Sequence, residues 1–348
     1  MRVICDLMGS DRGPGELLRG VCAAAPLTDA QLILVGDREV ILREAEEAGL
    51  DLGDFRLVHT GQVVTMEDDP LSAVRVKKES SMSVALHLLA VEEGDVMVSC
   101  GNTGALFTGA TLLVRKVRGI QRAAIATVLP FSPPLLLLDS GANVEVNEEY
   151  LEQFAVMGSA YAARLFGLEQ PRVGLLNNGT EPHKGTHVIS EAYKRLSVCP
   201  RIRFVGNVEA NMLPNDVCDV LVCDGFTGNI LIKSIEGMAS MMMGRLRGMF
   251  TANPVTRLSS MAVYKPLRGM KHDFDATEYG GSPLLGISRP VIKAHGSSNA
   301  NAYKNAILKG IYYARTEVIR DIADAAEEFA AQKRAERENT KDSGWNDK

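Results

Sequence analysis

Short apolar runs alternate with longer segments of helical periodicity, and this alternation constrains the fold more than any other feature of the sequence. The runs that are typical of strands cover residues 3–5, 31–35, 95–98, 125–129, 135–138, 173–176 and 220–223. Several are apolar at every position, as expected of strands that helices cover on both faces. Helical periodicity follows over residues 73–92, 148–166 and 187–196. The pattern predicts a doubly wound α/β/α sandwich with a mostly parallel sheet.

The domain organisation follows from length and composition. The 348 residues are 46% hydrophobic and 23% charged, which is ordinary for a globular chain. We expect one large α/β catalytic unit over residues 1–325 and a charged, frayed tail over residues 326–348. A long helical pattern covers residues 302–338. Within the unit, residues 235–275 predict a basic, Met-rich, protruding helical elaboration.

Charge and cysteine usage narrow the class of protein. The net charge of -5 argues against nucleic acid as the main partner. The six cysteines form no CxxC pair and lie mostly in apolar surroundings, which favours reduced, buried thiols in a cytoplasmic protein. The N-terminus lacks a signal-peptide pattern. No apolar run approaches the roughly 18 residues that a membrane span requires.

Four predicted strands end in loops rich in Gly, Asn, Asp and Thr, and a helical pattern follows each loop. These loops begin at Ser99, Asp139, Asn177 and Asp224. If the strands are parallel, their carboxyl ends share one edge, so we expect the loops to converge on one crevice. Glycines allow close backbone approach and helix N-termini offer free N–H groups, so the crevice suits an anion such as phosphate. The same residue types are also ordinary turn and N-cap residues.

Other catalytic signatures are absent from the sequence. Gly13-Pro14-Gly15 lacks the third glycine of a dinucleotide fingerprint, and Lys184 precedes Gly185 where a P-loop has the reverse order. His183 and His187 are spaced for zinc, but Lys184 stands where a zinc protease has glutamate. We therefore predict no metal and no cofactor.

Eight motifs, taken together and in order, closely resemble the bacterial phosphate acyltransferase family. They are DLMGSD from Asp6, KESSM from Lys78, SCGNTGAL from Ser99, LDSGANVE from Leu138, GLLNNGTEPHKGT from Gly174, CDGFTGNILIKSIEG from Cys223, YGGSPLLG from Tyr279 and HGSS from His295. The match covers roughly residues 1–325. Ser10 replaces a usual glycine, and Asn178 and Pro182 vary the loop before Lys184.

The resemblance implies transfer of a fatty acyl group from acyl-[acyl carrier protein] to inorganic phosphate. The product, acyl-phosphate, would supply a membrane glycerol-3-phosphate acyltransferase in phospholipid synthesis. It also implies a fold akin to phosphotransacetylases and the isocitrate dehydrogenase-like group, and a homodimer.

The chemistry needs two anions held together and a developing oxyanion stabilised, without an acylated side chain. Lys184 is the first candidate, since its ammonium can bind phosphate or face the oxyanion. Asn229 is a candidate donor to the carbonyl oxygen, with an N-cap as its alternative role. Asp224 is a candidate to orient Lys184 or accept a proton, and His183 to protonate the leaving thiolate. The predicted phosphate or substrate contacts are Gly101, Asn102, Thr103, Gly104, Asn143, Asn178, Gly179, Thr180, Gly185, Gly225, Ser297 and Ser298.

Two basic segments suggest partner surfaces. Residues 237–272 contain no acidic residue and hold seven of the 14 methionines. Met238, Met242, Leu246 and Phe250 lie four apart, which predicts one helical stripe that packs on the sheet, on a dimer mate or on lipid. Its basic residues, including Arg245, Arg257, Lys265 and Arg268, suit anionic lipid.

The second basic segment, hereafter the basic cluster, comprises Arg115, Lys116, Arg118 and Arg122. These cations complement the C-terminus of a predicted helix, and they also suit the docking of acidic acyl carrier protein. Three other functions remain open on the sequence alone: a phosphotransacetylase that uses acyl-CoA, a non-catalytic membrane-associated scaffold, and a decarboxylating dehydrogenase.

Overall fold

A computed structural model describes residues 1–253, 256 and 280–343 of the chain. The strands of this part are β1 (Arg2–Asp6), β2 (Gln31–Gly36), β3 (Arg56–His59), β4 (Val96–Ser99), β5 (Ala124–Leu129), β6 (Leu135–Leu138), β7 (Arg172–Leu176), β8 (Arg203–Val208), β9 (Val220–Val222), β10 (Ser282–Leu285) and β11 (Val291–Lys293). The α-helices are α1 (Pro14–Ala24), α2 (Arg38–Ala48), α3 (Ser72–Arg75), α4 (Ser81–Ala90), α5 (Thr103–Gly109), α6 (Glu148–Phe166), α7 (His187–Val198), α8 (Gly225–Thr251), α9 (Ala300–Arg315) and α10 (Val318–Ser343).

The described strands form one sheet in the order β3-β2-β1-β4-β11-β10-β5-β6-β9-β7-β8. Strands β3, β2, β1, β4 and β11 are parallel to one another, and so are β6, β9, β7 and β8. Between these two parallel sets, β10 and β5 make antiparallel pairs with their neighbours. The prediction of a mostly parallel α/β sheet is confirmed.

The antiparallel pairs correct one expectation about the loops. Three successive reversals separate β11 from β6. The carboxyl ends of β6, β9 and β7 therefore point opposite to that of β4 along the ladder. The expectation that all four loops leave the sheet at one shared edge is wrong, because it assumed that every strand is parallel.

Helices cover both faces of the sheet. One face carries a continuous core in which α1, α6 and α9 pack on the central strands. The opposite face carries two separate cores, one beneath α4 and α5 and one beneath the start of α8. Half-exposed Thr127 of β5 marks the division between these two cores. Leu137 of β6, which lies opposite Thr127, belongs to the core beneath α8, whereas Ile125 belongs to the core beneath α4 and α5.

Helix boundaries follow local capping. The pattern over residues 73–92 forms two helices rather than one, because the Ser80 side chain accepts a hydrogen bond from the Ser83 N–H and starts α4 afresh. The pattern over residues 302–338 is likewise split, since Thr316 adopts an extended backbone between α9 and α10. The predicted boundary at residue 325 falls inside α10, where Ala326 is fully buried, and the helix continues to Ser343.

Helix α8 leaves the body of the protein after its first turns. Leu231, Ile232 and Ile235 pack against the core beside β6. Beyond them, Met238, Met241, Met242 and Met249 are each about half or more exposed, at 56%, 49%, 49% and 65%. The predicted protruding segment therefore begins as the distal part of α8. None of the described helices is long and apolar enough to cross a membrane.

Candidate functional site

A row of polar residues crosses the sheet on the face that carries the two separate cores. The row, hereafter the polar row, consists of Asp6, Ser99, Lys293, Ser282 and Thr127. Asp6 pairs with Ser99, Ser99 with Lys293 and Lys293 with Ser282 across adjacent strands. Ser282 and Thr127 are joined by a hydroxyl hydrogen bond of 2.8 Å. Directly paired residues project to the same face, so the five side chains line one continuous strip.

The charged end of the polar row is buried. The Ser99 hydroxyl donates to the Asp6 carboxylate at 2.6 Å, and burial raises the pKa of Asp6. Lys293 is only 9% exposed, and its ammonium donates to the carbonyls of Cys100 (3.4 Å) and Ala294. Burial lowers the pKa of Lys293. The ammonium thereby fastens the ends of β4 and β11 together.

The loops after β1, β4 and β11 form a first loop group over residues 9–11, 99–104 and 294–298. Gly9 has φ of 74°, and a side chain there would lie 3.3 Å from Gly101 Cα, so glycine permits the approach of the two loops. The Ser10 hydroxyl donates to the Gly296 carbonyl at 3.1 Å. Ser10, the residue that departs from the family pattern, therefore takes part in joining the loops.

The predicted contacts in the first loop group have different environments. The Asn102 amide donates to the carbonyls of Thr65, Met66 and Asp68, and its oxygen caps α5. Its side chain is thus committed to holding the loop. Thr103 is exposed, Gly104 is half-buried, and Gly101 is buried.

The two serines that end this loop group also differ. Ser297 is exposed, and its hydroxyl lies 2.8 Å from the His295 ring. Ser298 is buried.

The second loop group comprises residues 139–143 and 224–229, and a buried carboxylate organises it. Asp139 Oδ1 accepts from the N–H groups of Ile125 (3.0 Å), Gly141 and Ala142, while Oδ2 accepts from the Asn143 N–H at 2.7 Å. Burial raises the pKa of Asp139. The predicted contact Asn143 donates its amide to Asp139 and to the Ala123 carbonyl, both at 2.8 Å, so its side chain also holds the loop.

The start of α8 closes onto this carboxylate. Asp224 is the N-cap, and its carboxylate accepts from the Thr227 N–H and hydroxyl at 2.8 and 2.7 Å. Asn229 therefore lies inside the helix and is not an N-cap. Its exposed side chain lies against Gly141, where an added Cβ would be 3.7 Å away. Gly225 donates its N–H to the Asn143 carbonyl at 2.7 Å, so the two segments form one unit.

The loop between β7 and α7, residues 177–186, carries the first candidate for catalysis. Lys184 is exposed, and its side-chain stem lies over Gly179, whose added Cβ would be 3.0 Å from Lys184 Cγ. The Asn177 amide donates to the Lys184 carbonyl at 3.1 Å. Gly185 has φ of 89° and leaves no room for a side chain beside Asn177. His183, Asn178 and Thr180 are exposed.

These contacts fix the backbone of the loop over residues 177–186 and leave the Lys184 side chain exposed. Among the hydrogen bonds of the described residues, none joins this loop to either loop group. Hydrogen bonds and strand pairing therefore connect the two loop groups through the polar row, and this network does not include Lys184.

The basic cluster adjoins the second loop group. Arg122 is exposed, its guanidinium carbon lies 5.7 Å from the ring centroid of Tyr150, and it precedes Ala123, whose carbonyl binds Asn143. The Lys116 ammonium donates to the Gln121 carbonyl at 2.5 Å, and burial together with Arg122 lowers its pKa. Arg115 and Arg118 are exposed.

On the projecting part of α8, Arg245 is exposed beside the methionines. The other predicted contacts of that surface, Arg257, Lys265 and Arg268, lie outside the described residues.

Comparisons with known proteins decide the family. The sequence profile of the family described as fatty acid synthesis protein matches residues 1–321. A phosphate acyltransferase from Thermoanaerobacter pseudethanolicus is 41% identical over 94% of this chain and 98% of its own. One from Clostridioides difficile is 37% identical over 98% and 100%. The chain belongs to this fatty acid synthesis protein family. The resemblance inferred from the eight motifs is confirmed.

Solved structures show that this family member has a phosphotransacetylase-like fold. A phosphotransacetylase from Streptococcus pyogenes aligns with a TM-score of 0.60 at 19% identity, over 90% of this chain and 94% of that one. A 4-hydroxythreonine-4-phosphate dehydrogenase from Klebsiella pneumoniae aligns with a TM-score of 0.54 at 12% identity, over 90% and 99%.

Sequence reasoning missed Asp139, Lys293 and Thr127 as members of the site. Asp139 was predicted only as the first residue of one of the four loops, without a role of its own. Lys293 and Thr127 lie within strands, and β11, which carries Lys293, was not predicted. The available signal was a charged or polar residue at the end of an apolar strand, which becomes informative only once the neighbouring strands are known.

Proposed function

We propose that this protein transfers a fatty acyl group from acyl-[acyl carrier protein] to inorganic phosphate, giving acyl-phosphate for phospholipid synthesis. The observation that carries the proposal is the full-length identity to phosphate acyltransferases, 41% over 331 residues. The polar row and its two loop groups supply the chemistry that the reaction needs, namely closely approaching backbone, hydroxyl groups and a buried cation.

In the proposed reaction a phosphate oxygen attacks the thioester carbonyl, the C–S bond breaks, and the thiolate leaves with a proton. Asn229, exposed beside Gly141, is the proposed donor to the developing oxyanion. Lys184 is the proposed cation that neutralises phosphate as the two anions meet. His183 is the proposed proton source for the thiolate, and Asp224 positions the first turn of α8 through Thr227.

Phosphate binding is assigned to the first loop group, the loop of Lys184 and the start of α8. The proposed backbone contacts are Gly101, Gly104, Gly179, Gly185 and Gly225. The proposed side-chain contacts are Thr103, Asn178, Thr180, Ser297 and Ser298, while Asn102 and Asn143 hold their loops in place through the hydrogen bonds described above.

The basic cluster is the proposed docking surface for acidic acyl carrier protein. Its support is position, since Arg122 adjoins the residue that anchors Asn143, at the edge of the second loop group. Docking there would bring the carrier's thioester arm to Asn229. If so, changing Arg118 and Arg122 to glutamate raises the KM for the carrier and weakens its salt dependence. A KM for the carrier that responds neither to salt nor to these substitutions would contradict this assignment.

We propose a cytoplasmic location with peripheral membrane contact. The exposed methionines of α8 with Arg245 support contact with a membrane, or with the acyltransferase that consumes the product. The same face suits a second copy of the chain in a homodimer. Sedimentation with anionic liposomes tests the first assignment. Binding that persists after Arg245, Arg257, Lys265 and Arg268 are made acidic would contradict it.

The function is tested by incubating the purified protein with palmitoyl-[acyl carrier protein] and labelled phosphate. We expect labelled acyl-phosphate, and a loss of about 10² to 10³ in rate for Lys184→Ala. Lys194→Ala is the matched control, since Lys194 is an exposed lysine of α7 paired with Glu191. A protein that forms no acyl-phosphate would refute the proposal, and palmitoyl-CoA in place of the carrier distinguishes the phosphotransacetylase alternative.

A further inference from the structure

Three hydroxyl groups at the centre of the sheet form a chain with one direction. The Ser140 hydroxyl donates to the Ile125 carbonyl at 3.0 Å, and the Thr127 hydroxyl donates to Ser140 Oγ at 2.8 Å. Thr127 and Ser282 lie 2.8 Å apart. A hydroxyl carries a single hydrogen. Because the hydrogen of Thr127 is used toward Ser140, Ser282 must donate to Thr127.

This direction fixes what the end of the chain offers. The only hydrogen of Ser282 points at Thr127, so the remaining capacity of Ser282 Oγ is two acceptor lone pairs. Ser282 is half-exposed, as are Thr127 and Ser140. A ligand that reaches Ser282 therefore has to donate a hydrogen bond.

The position of Ser282 indicates which ligand this is. Ser282 pairs with Lys293 on one side, in the strand that leads to the first loop group. On the other side, the hydroxyl chain leads through Ser140 into the second loop group. Ser282 thus lies between the two loop groups, next to the strand position of the buried Lys293.

We propose that Ser282 accepts a hydrogen bond from the protonated oxygen of hydrogen phosphate and thereby distinguishes phosphate from sulfate. The proposal rests on the proposed function, in which phosphate is the attacking substrate. Sulfate matches hydrogen phosphate in shape and charge, but it carries no proton near neutral pH. A sulfate oxygen at Ser282 would face lone pairs, leaving both groups without a hydrogen bond. The unprotonated oxygens of phosphate remain free to attack the thioester.

Thr127→Val tests this chain with little change in shape, and Thr127→Ser is its matched control. Valine removes the acceptor that holds the Ser282 hydrogen, so the Ser282 hydroxyl becomes free to donate to an anion. We measure the KM for phosphate and the inhibition constant for sulfate in acyl-phosphate formation. The ratio of the sulfate constant to the phosphate KM falls about tenfold in Thr127→Val, the effect of one hydrogen bond. It stays within about twofold of wild type in Thr127→Ser, which keeps the hydroxyl.

Ser282→Ala is the second variant, and it lowers the same ratio by removing the acceptor itself. Calorimetric binding of phosphate and of sulfate gives the ratio without turnover, so the inference is measurable even if the proposed reaction does not occur. Wild type that forms no acyl-phosphate yet prefers phosphate over sulfate refutes the proposed function alone. An unchanged ratio in both Thr127→Val and Ser282→Ala overturns the inference alone. A selective rise in the KM for the acyl donor also overturns it, since an amide of the carrier arm would then be the donor to Ser282.

Discussion

Gly228→Ala provides the sharpest test of how the second loop group is assembled. A Cβ at Gly228 would lie 2.0 Å from the backbone oxygen of Asp139 and 3.0 Å from Cys223 Sγ. The two segments would have to separate by about 1 Å, since backbone cannot swing aside as a flexible side chain does, and such overpacking costs about 1–3 kcal/mol of stability. The same shift moves Asn229 relative to Gly141, and a displacement of about 1 Å in an active site can cost about 10²-fold in rate.

Gly237→Ala is the control within the same helix. Gly237 is exposed, and nothing lies within 4 Å of its added Cβ. Alanine is the better helix former, so this variant gains up to about 1 kcal/mol and keeps its rate. Urea unfolding and the labelled-phosphate assay measure the two effects. Gly228→Ala with wild-type stability and rate would show that α8 does not seat against Asp139 as described.

Two further predictions concern stability and reactivity. Hydrogen bonds from the Arg172 backbone and guanidinium hold the pKa of Asp219 below its ordinary value of 3.8. The stabilisation that ionised Asp219 gives to the folded protein is therefore complete above pH 3.8 and is lost as the pH falls through the lowered pKa. Asp219→Asn therefore unfolds more easily than wild type at pH 7. Urea unfolding at a series of pH values measures the difference in the free energy of unfolding between the two proteins. A difference that does not narrow below about pH 4 would contradict this prediction. Among the cysteines, Cys22 alone is partly exposed and burial raises the pKa of Cys100 to about 12, so a thiol reagent modifies Cys22 first in the native protein. Rapid modification of all six would contradict that burial.

The sequence predicted the elements whose signal is local. The apolar runs became β1, β2, β4, β5, β6, β7 and β9, and α6 begins and ends where its periodicity indicated. Strands β10 and β11 escaped prediction because each is short and begins beside Gly or Pro. These two strands alter the topology most. Strand β10 makes the first antiparallel pair in the sheet order, and β11 carries Lys293 into the sheet.

The sequence predicted the loop residues of the candidate site but not the polar row on the strands. Asn102, Asn143, Gly225 and Asn229 could be found because Gly and Asn at strand ends are visible in sequence. Their roles could not be predicted, because the amides of Asn102 and Asn143 donate hydrogen bonds to carbonyls that are distant in the chain. The polar row depends on five strands pairing in register, which no local pattern encodes.

The most direct test of this account is the position of phosphate in a crystal of the protein grown with phosphate and a non-transferable acyl donor analogue. The account predicts one phosphate oxygen about 3 Å from Ser282 Oγ, with the two loop groups on either side. Phosphate remote from Ser282 would contradict it, as would phosphate on the opposite face of the sheet.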